Sequence, residues 1–596
     1  MTTGATSELS PPEPAGNPPE VSPARPAAAY AASLLLLVFA ACISIGQITD
    51  DDVFWHLATG RWIAAHHSVP SADVFGYVTA GQPWIPFEWG WDLLIYTLYS
   101  AGGYLLMQIL PALLSCGIVF FLLAAMRRLG IPLPVVIFVL LLTFLATMFG
   151  IQDRPYTISL FFFAALLWLL ISYRYDPRAA VRRLYLLPPI FVLWANMHPG
   201  VIGGILLLAT ALAVETAEFL FPRLLGGGDP ALRRKPQPLF LAGIVIACTA
   251  ALLVNPHGID TYLYVYRHIH LRLLAQVVEW LPPLSADFES RTILIYKLLL
   301  ILGASSLAAS VRRKDIFPSV LYAVFALYSL RGVRFTSDFA VVTAAGTALG
   351  LTALAGLLPA AARFLRRGAA LAAVILLTAV LIVMAADDEL YKDLRYHRHT
   401  GFGPDRHYFS AGLIDFMRNQ GISGRPFNSN EIGGQLVWEF PEGKNFIDSR
   451  NLGDSIWDEY YAIMARTPGF ERKLAGYGVD FIVLSLQDLV SSPRSMLGTP
   501  IPFCEEHPAD WRLVYWDDRT FLYLKTVPKF DACCTAKGYA VLDPYRYAFA
   551  FRQFDSIAVT APDIFRAELK RRLAEDPGGF LTRSFREYGR LRKLTE

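Results

Sequence analysis

Three consecutive carboxylates, Asp50, Asp51 and Asp52, stand where the first long apolar run ends, followed at once by Val53-Phe54-Trp55-His56. Acids in the first turn after a membrane span lie at the depth of a lipid phosphate headgroup, where they can take a proton or hold a divalent metal. Polar residues recur at the ends of other apolar runs: Glu88-Trp89, Gln152-Asp153-Arg154-Pro155-Tyr156, Trp194-Ala195-Asn196-Met197-His198-Pro199-Gly200, Asn255-Pro256-His257-Gly258, Glu279-Trp280-Leu281-Pro282-Pro283, and Arg331 with Arg334. Moving a sugar off a lipid phosphate needs a base for the acceptor, a cationic or metal clamp on the departing phosphate and a groove for the lipid. Asp50 and Asp52 are the candidate catalytic base and possible metal ligands. Arg154, Arg331 and Arg334 are candidate phosphate clamps, because guanidinium matches phosphate bidentately. His198 and His257 can donate to phosphate or bind a metal, and His56, Glu88 and Glu279 complete the substrate-binding candidates. Each also has a plain structural reading: acids beside a span are often only solvated, Arg154 can snorkel to the interface, Asn255–Gly258 is a turn by its Pro and Gly, and Glu279 precedes a loop stiffened by Pro282-Pro283.

The elements that must position these residues are membrane helices. The 596-residue chain is 54% hydrophobic and 17% charged with a mean hydropathy of +0.40, too apolar for a soluble protein of this length. Its net charge of +3 gives no reason to expect a nucleic-acid partner. Runs long enough to cross a bilayer, about 17–25 residues each, fall at 29–48, 104–126, 133–151, 156–173, 185–198, 200–221, 239–254, 292–311, 316–331, 337–358 and 368–386, which makes about eleven spans. The shorter runs 185–198 and 239–254 also fit a broken or re-entrant pair. Basic clusters follow alternate spans: Arg127-Arg128, Arg174 with Arg178, Arg182 and Arg183, Arg223 with Arg233-Arg234-Lys235, Arg312-Arg313-Lys314, and Arg363 with Arg366 and Arg367. The positive-inside rule places all of them in the cytoplasm and every candidate residue outside. Mid-span ionisable residues are scarce and no internal repeat is visible, which argues against coupled transport.

Residues 1–27, rich in Pro, Ala, Ser and Glu, read as a disordered cytoplasmic tail rather than a cleaved signal. Residues 28–386 form the transmembrane domain, with a long first outward loop over 49–103. Trp62, Trp84, Trp89 and Trp91 in that loop fit either an interfacial belt or platforms for a sugar or prenyl chain. The stretch from His56 to Ile63 reads as an amphipathic helix on the membrane surface. From 387 to 530 a soluble outward α/β domain is expected, with strands at Phe446-Ile447-Asp448 and Val479–Leu484, a hairpin over 512–524 and helices over 452–466 and 468–476. A mostly helical tail, charged over 561–574, completes the chain at 531–596. Cys42, Cys116 and Cys248 lie in spans as small apolar residues. Cys504, Cys533 and Cys534 lie outside, where a bridge from Cys504 to one of the pair is permitted.

The run Asp50-x-Asp52-x-x-Trp55-His56-Leu57-Ala58-Thr59-Gly60-x-Trp62, with Pro70-x-x-Asp73-x-Phe75 and Glu88-Trp89, resembles bacterial membrane proteins related to the GT-C glycosyltransferase superfamily. Arg154-Pro155, Trp194-Ala195-Asn196-x-His198-x-Gly200, Asn255-Pro256-x-Gly258, Glu279-Trp280-x-Pro282-Pro283, Gly433-Gly434-x-Leu436-x-Trp438 and Phe446-Ile447-Asp448-x-Arg450 follow in the same order, so the resemblance covers about residues 30–525. In that superfamily, which includes protein mannosyltransferases, aminoarabinose transferases and oligosaccharyltransferases, an acid of the first outward loop acts on a polyprenyl-linked donor. The resemblance gives that role to Asp50 or Asp52. The Trp-Trp-Asp signature of oligosaccharyltransferases is missing, with Ile456-Trp457-Asp458-Glu459-Tyr460 a partial echo, which argues against Asn-glycosylation of proteins.

The sequence therefore predicts a polytopic α-helical membrane protein with a C-terminal soluble α/β domain. The implied activity is an inverting, GT-C-type transfer of sugar from a polyprenyl phosphate to a lipid, polysaccharide or protein acceptor. The expected place is the bacterial inner membrane, with the N-terminus cytoplasmic and the C-terminal domain periplasmic or extracellular. The rival readings are a non-catalytic assembly or sensor protein and a transporter of lipid-linked glycans.

Overall fold

The computed structural model describes residues 26–176, 181–225, 234–285, 288, 290–365, 368–487 and 489–595. Most of the expected N-terminal tail, and Arg178, Arg233, Arg366 and Arg367 of the basic clusters, lie outside the described residues. The apolar runs are helices: α1 (Pro26–Ser44), α3 (Trp89–Arg128), α4 (Leu133–Ala146), α5 (Tyr156–Tyr175), α6 (Leu187–Met197), α7 (Val201–Leu220), α9 (Pro238–Ala251), α11 (Thr292–Gly303), α12 (Ser306–Arg313), α13 (Phe317–Ser329), α14 (Thr336–Ala355) and α16 (Gly368–Ala386). Shorter helices lie between them: α2 (Asp52–His66), α8 (Pro222–Leu225), α10 (Ile259–His268), α15 (Pro359–Leu365) and α17 (Glu389–Asp393). Among the described residues, seven helical segments are long and apolar enough to cross a membrane, and α4, α9 and α13 are shorter apolar helices.

The first outward loop is more helical than the sequence predicts. Helix α3 begins at Trp89 and bends at Gly102-Gly103, where Gly103 takes φ 62°, a conformation L side chains rarely adopt. Helix α2 is not a one-sided surface helix: His56 through Gly60 are buried, and its neighbours are α3 and the outward domain's α19 (Asn430–Glu439). Gly60 is what permits the α2–α3 approach, because a Cβ there would run into the Asp92 carbonyl oxygen.

At the far ends of α3 and α5 the basic clusters meet. Arg128 pairs with Asp176, Arg174 is buried against Glu218 and Asp315, and Arg313 donates to the Leu129 carbonyl. These clusters share one end of the bundle, as one orientation of the helices requires.

The C-terminal domain, expected to face outward, holds α18 (Ala411–Asn419), β1 (Pro426–Asn428), α19, α20 (Asp454–Met464), α21 (Phe470–Gly476), β2 (Phe481–Ser485), α22 (Ile501–Glu506), β3 (Trp511–Trp516) and β4 (Thr520–Lys525). The sheet order is β1-β2-β4-β3, with β1 parallel to β2 and the other pairs antiparallel, so the expected hairpin is β3–β4. Alternation along the strands builds a core on each face. Ile482, Leu484, Phe521 and Tyr523 face one core, and Val483, Leu522 and Leu524 the other. Two expectations are corrected here. Phe446-Ile447-Asp448 is not a strand: its backbone turns inward to place Asp448 and Arg450. All six cysteines are free, because Cys504 belongs to one face of the sheet while Cys533 and Cys534 belong to the other. The tail is helical, and its Phe554, Phe565, Leu569, Phe585 and Tyr588 fill the same core as Trp516.

Candidate active site

Where α2, α3, α5 and α7 begin, a cavity of about 550 Å³ opens, lined by Asp52, His56, Glu88, Arg154, His198, Glu279, Arg331 and Arg334. Trp55, Trp84, Phe87, Tyr264, Trp280 and Trp457 supply aromatic walls. The side chains come from seven separate stretches of the chain, and all but Tyr264, in the middle of α10, lie near a helix end or in the loop beside one. Asp50 lies off the cavity, at a small neighbouring recess, but is joined to it through Arg154. His257 is not brought there: its backbone N–H donates to Asn255 Oδ1 at 2.9 Å within the Asn255–Gly258 turn, and Nε2 has no partner among the described residues.

Arg154 organises the acids. Its guanidinium pairs with Asp50, stands 3.2 Å from Asp52 Oδ2 and 2.5 Å from Glu279 Oε1. Burial works to raise the Glu279 carboxyl, but Arg154 and Arg334 outweigh it and hold it below the usual carboxylate range. Burial pushes Asp52 upward, against the hydrogen bond that Trp55 Nε1–H donates to its Oδ1 at 3.1 Å. Among the described residues no group of three His, Cys, Asp or Glu side chains gathers as a metal needs, and the cation set among Asp50, Asp52 and Glu279 is Arg154.

Asp51 works differently from its neighbours. Its carboxylate accepts the Gly434 and Gln435 backbone N–H groups at 2.8 and 3.0 Å, tying the start of α2 to the first turns of α19. Burial pushes this carboxyl well up, against the pull of those two amides.

On the other wall, Glu88 lies between two imidazoles, 3.4 Å from His198 Nε2 and 3.7 Å from His56 Nε2. Burial raises the Glu88 carboxyl to about 8 and lowers both histidines. His56 Nδ1 is 2.5 Å from Asp92 Oδ1, a fully buried carboxylate on α3. Arg331 and Arg334 form no ion pair among the described residues; the Arg334 guanidinium lies 4.4 Å over the Trp280 ring and faces the cavity. Tyr156 fixes this corner, its hydroxyl lying 2.5 Å from the Arg334 carbonyl oxygen and 2.6 Å from Asp338 Oδ1.

Residue-by-residue reading did not single out Asp92, Asp338 or Tyr264, which sit among apolar neighbours on helices. Their signal was that polar residues in apolar helices are usually purposeful. The motif acids outside the cavity have a structural task. Arg450 donates to Asp73 Oδ1 and to both Asp448 oxygens, 2.7–2.8 Å each, and stacks under Trp84 and Phe75. This buried triad clamps the 49–103 segment onto the C-terminal domain. Trp457 of the partial signature lines the cavity, while Asp458 pairs with exposed Arg272.

No protein-family model matches the chain, and no curated protein does. Solved structures do. The arabinofuranosyltransferase AftD from Mycobacteria aligns over 85% of this chain and 40% of its own with TM-score 0.51 at 15% identity. The oligosaccharyltransferase AglB from Archaeoglobus fulgidus aligns over 86% and 76% with TM-score 0.49 at 13% identity. ArnT from Cupriavidus metallidurans aligns over 83% and 97% with TM-score 0.47 at 13% identity. At these identities the likeness is one of fold: the chain is a polytopic membrane protein that shares its fold with AftD and carries a C-terminal domain with a four-stranded sheet.

Proposed function

We propose that this protein is an inverting membrane glycosyltransferase, moving a sugar from a polyprenyl phosphate to a lipid, polysaccharide or protein acceptor on the outer face of the bacterial inner membrane. The observation that carries this reading is the convergence of acids, cations and rings from seven stretches on one cavity, whose size lies within the roughly 300–1,000 Å³ usual for small-ligand sites. AftD, whose fold is shared, is by name an arabinofuranosyltransferase, which supports glycosyl transfer as the reaction class.

In this reading Asp52 takes the proton of the acceptor hydroxyl as its oxygen attacks the anomeric carbon. Asp50 and Glu279 hold Arg154 in place beside it. Arg331 and Arg334, free of carboxylate partners among the described residues, neutralise the phosphate that departs with the bonding electrons. The aromatic walls take the sugar face or the first prenyl units, and the outward domain, through Trp457 and Asn430, bounds access of the acceptor.

Binding of undecaprenyl phosphate to the purified protein in nanodiscs tests the donor half of this reading. Wild type should bind it, and Arg331→Gln or Arg334→Gln should weaken binding by about tenfold or more, the worth of a charge-assisted hydrogen bond. Binding that ignores both substitutions would remove the phosphate clamp from the account.

A further inference from the structure

The hydrogen bonds behind the two imidazoles flanking Glu88 decide where their protons sit. His198 Nδ1 accepts the Gly200 backbone N–H at 2.9 Å. The Ser159 hydroxyl, which accepts from Trp194 Nε1–H at 2.7 Å, stands 2.8 Å from the same nitrogen. Neutral His198 therefore carries its proton on Nε2, aimed at Glu88. On the other side, Asp92 Oδ1 meets His56 Nδ1, and Asp92 Oδ2 has no partner among the described residues. In the form with Asp92 ionised, His56 carries its proton on Nδ1 and its Nε2 lone pair faces Glu88 and the cavity. Glu88 is held between an N–H donor and a lone pair, an arrangement that suits a carboxyl group gaining and losing one proton.

We propose that Glu88 and His56, backed by Asp92, form a proton relay that carries the acceptor's proton away from Asp52. This rests on the glycosyl-transfer reading and assigns its proton path. The acceptor oxygen bonds to the anomeric carbon, the bond from that carbon to the phosphate oxygen breaks with its electrons on the phosphate, and the hydroxyl proton passes to Asp52. Burial pushes the Asp52 carboxyl upward, so it can take that proton, while Arg154, 3.2 Å from Asp52 Oδ2, favours the ionised carboxylate to which it returns once the proton leaves. It moves to His56 Nε2, one helical turn along α2, where Asp92 balances the imidazolium, and then to ionised Glu88; loss to water resets the site. The gaps of 3.4 and 3.7 Å around Glu88 close by small movements when substrate binds, as acid–base contacts in empty sites commonly do. Asp92 and His198 are positioning residues in this scheme.

Glu88 receives the proton only when ionised. Burial lifts it to about 8; His56 and Arg334 pull it down, Asp92 and Asp52 push it up, and His198 offers its N–H. Turnover should therefore rise with pH and level off above about 8.

The test uses full-length protein in nanodiscs supplied with polyprenyl-phosphate sugars extracted from the host membrane, scored by free polyprenyl phosphate. Glu88→Gln keeps the shape and both hydrogen-bond roles but takes no proton. Its turnover should fall on the order of 10²-fold without the rising limb, while undecaprenyl phosphate binding stays within about threefold of wild type. Asp92→Asn should lower turnover and move the limb. Glu88→Gln turning over within about twofold of wild type, or keeping the limb, overturns the relay. If wild type neither turns over nor binds undecaprenyl phosphate, the glycosyl-transfer reading falls instead. Infrared titration then decides the proton assignment alone: a carboxyl C=O band lost near pH 8 in wild type and absent from Glu88→Gln supports it, and identical spectra overturn it.

Discussion

Replacing Arg450 by Met strands two buried carboxylates while nearly keeping the volume of the side chain. The Arg450 side chain is 1% exposed, and Asp73 and Asp448 are 0% and 2% exposed. Its guanidinium makes three side-chain hydrogen bonds to them and lies 4.5 Å from the Trp84 ring centre. Removing one partner of a buried ion pair costs about 3–5 kcal/mol, because the remaining charge keeps its desolvation penalty without its compensation. Two carboxylates share the loss here, so the upper part of that range is expected for Arg450→Met. The assay is denaturant unfolding in detergent followed by tryptophan fluorescence, with Trp84 reporting directly on the clamp. Adding Asp73→Asn and Asp448→Asn to Arg450→Met should restore most of the stability, since uncharged amides need no counter-ion. The pair is also sensitive to pH. Burial works to raise Asp448, yet Arg450 holds it below its ordinary value, so its stabilisation is present above the unfolded value and lost as pH falls through the folded one. Arg450→Met unfolding within about 0.5 kcal/mol of wild type, or no recovery in the triple variant, would refute the clamp.

Glu88 gives the opposite pH signature. With its folded value raised from 4.5 to about 8, it stabilises the fold below the unfolded value and loses that contribution as pH rises to about 8, a span of roughly 5 kcal/mol at 1.36 kcal/mol per unit. Thermal unfolding at pH 5 and pH 9 should show wild type losing stability across that range more steeply than Glu88→Gln. Gly60→Ala should destabilise by about 1–3 kcal/mol, read by denaturant midpoint, because the new methyl meets the Asp92 backbone rather than a yielding side chain. Asp51→Ala should cost about 1–3 kcal/mol by leaving the buried Gly434 and Gln435 amides unsatisfied, and limited proteolysis should cut the junction between α2 and the outward domain faster. Alkylation after denaturation without reductant should label all six cysteines; fewer would show a bridge.

How far these features could be read in the sequence follows from how local their causes are. Apolar runs were legible as helices, because bilayer thickness acts on contiguous residues, although seven helical segments among the described residues, rather than about eleven, are long and apolar enough to cross a membrane. The hairpin around Asp517-Asp518 and the helices at Asp454–Met464 and Phe470–Gly476 were likewise legible from turn chemistry and periodicity. The outward loop was not, since the helix from Trp89 depends on packing against α2 through Gly60, a contact made across the fold. Asp52, Glu88, Arg154, His198, Glu279, Arg331 and Arg334 announced themselves by sitting at the ends of apolar runs, and the cavity gathers all of them. His257 announced itself in the same way but stays in its turn, because a polar residue at a helix end says nothing about the direction of its side chain. Asp92 was hidden for the converse reason: its role exists only through His56, thirty-six residues away. The Asp73, Asp448 and Arg450 motifs were visible as a pattern, and only the fold shows that they form one ion cluster.

In the proposed reaction, chemistry on a lipid-linked sugar takes place at Asp52. Its most direct test is the envelope glycan and lipid-linked sugar profile of a deletion strain carrying Asp52→Asn, alone and with Asp50→Asn, at wild-type protein levels. The account predicts a profile matching the deletion, with the unused polyprenyl-phosphate sugar accumulating. A profile indistinguishable from wild type would contradict it.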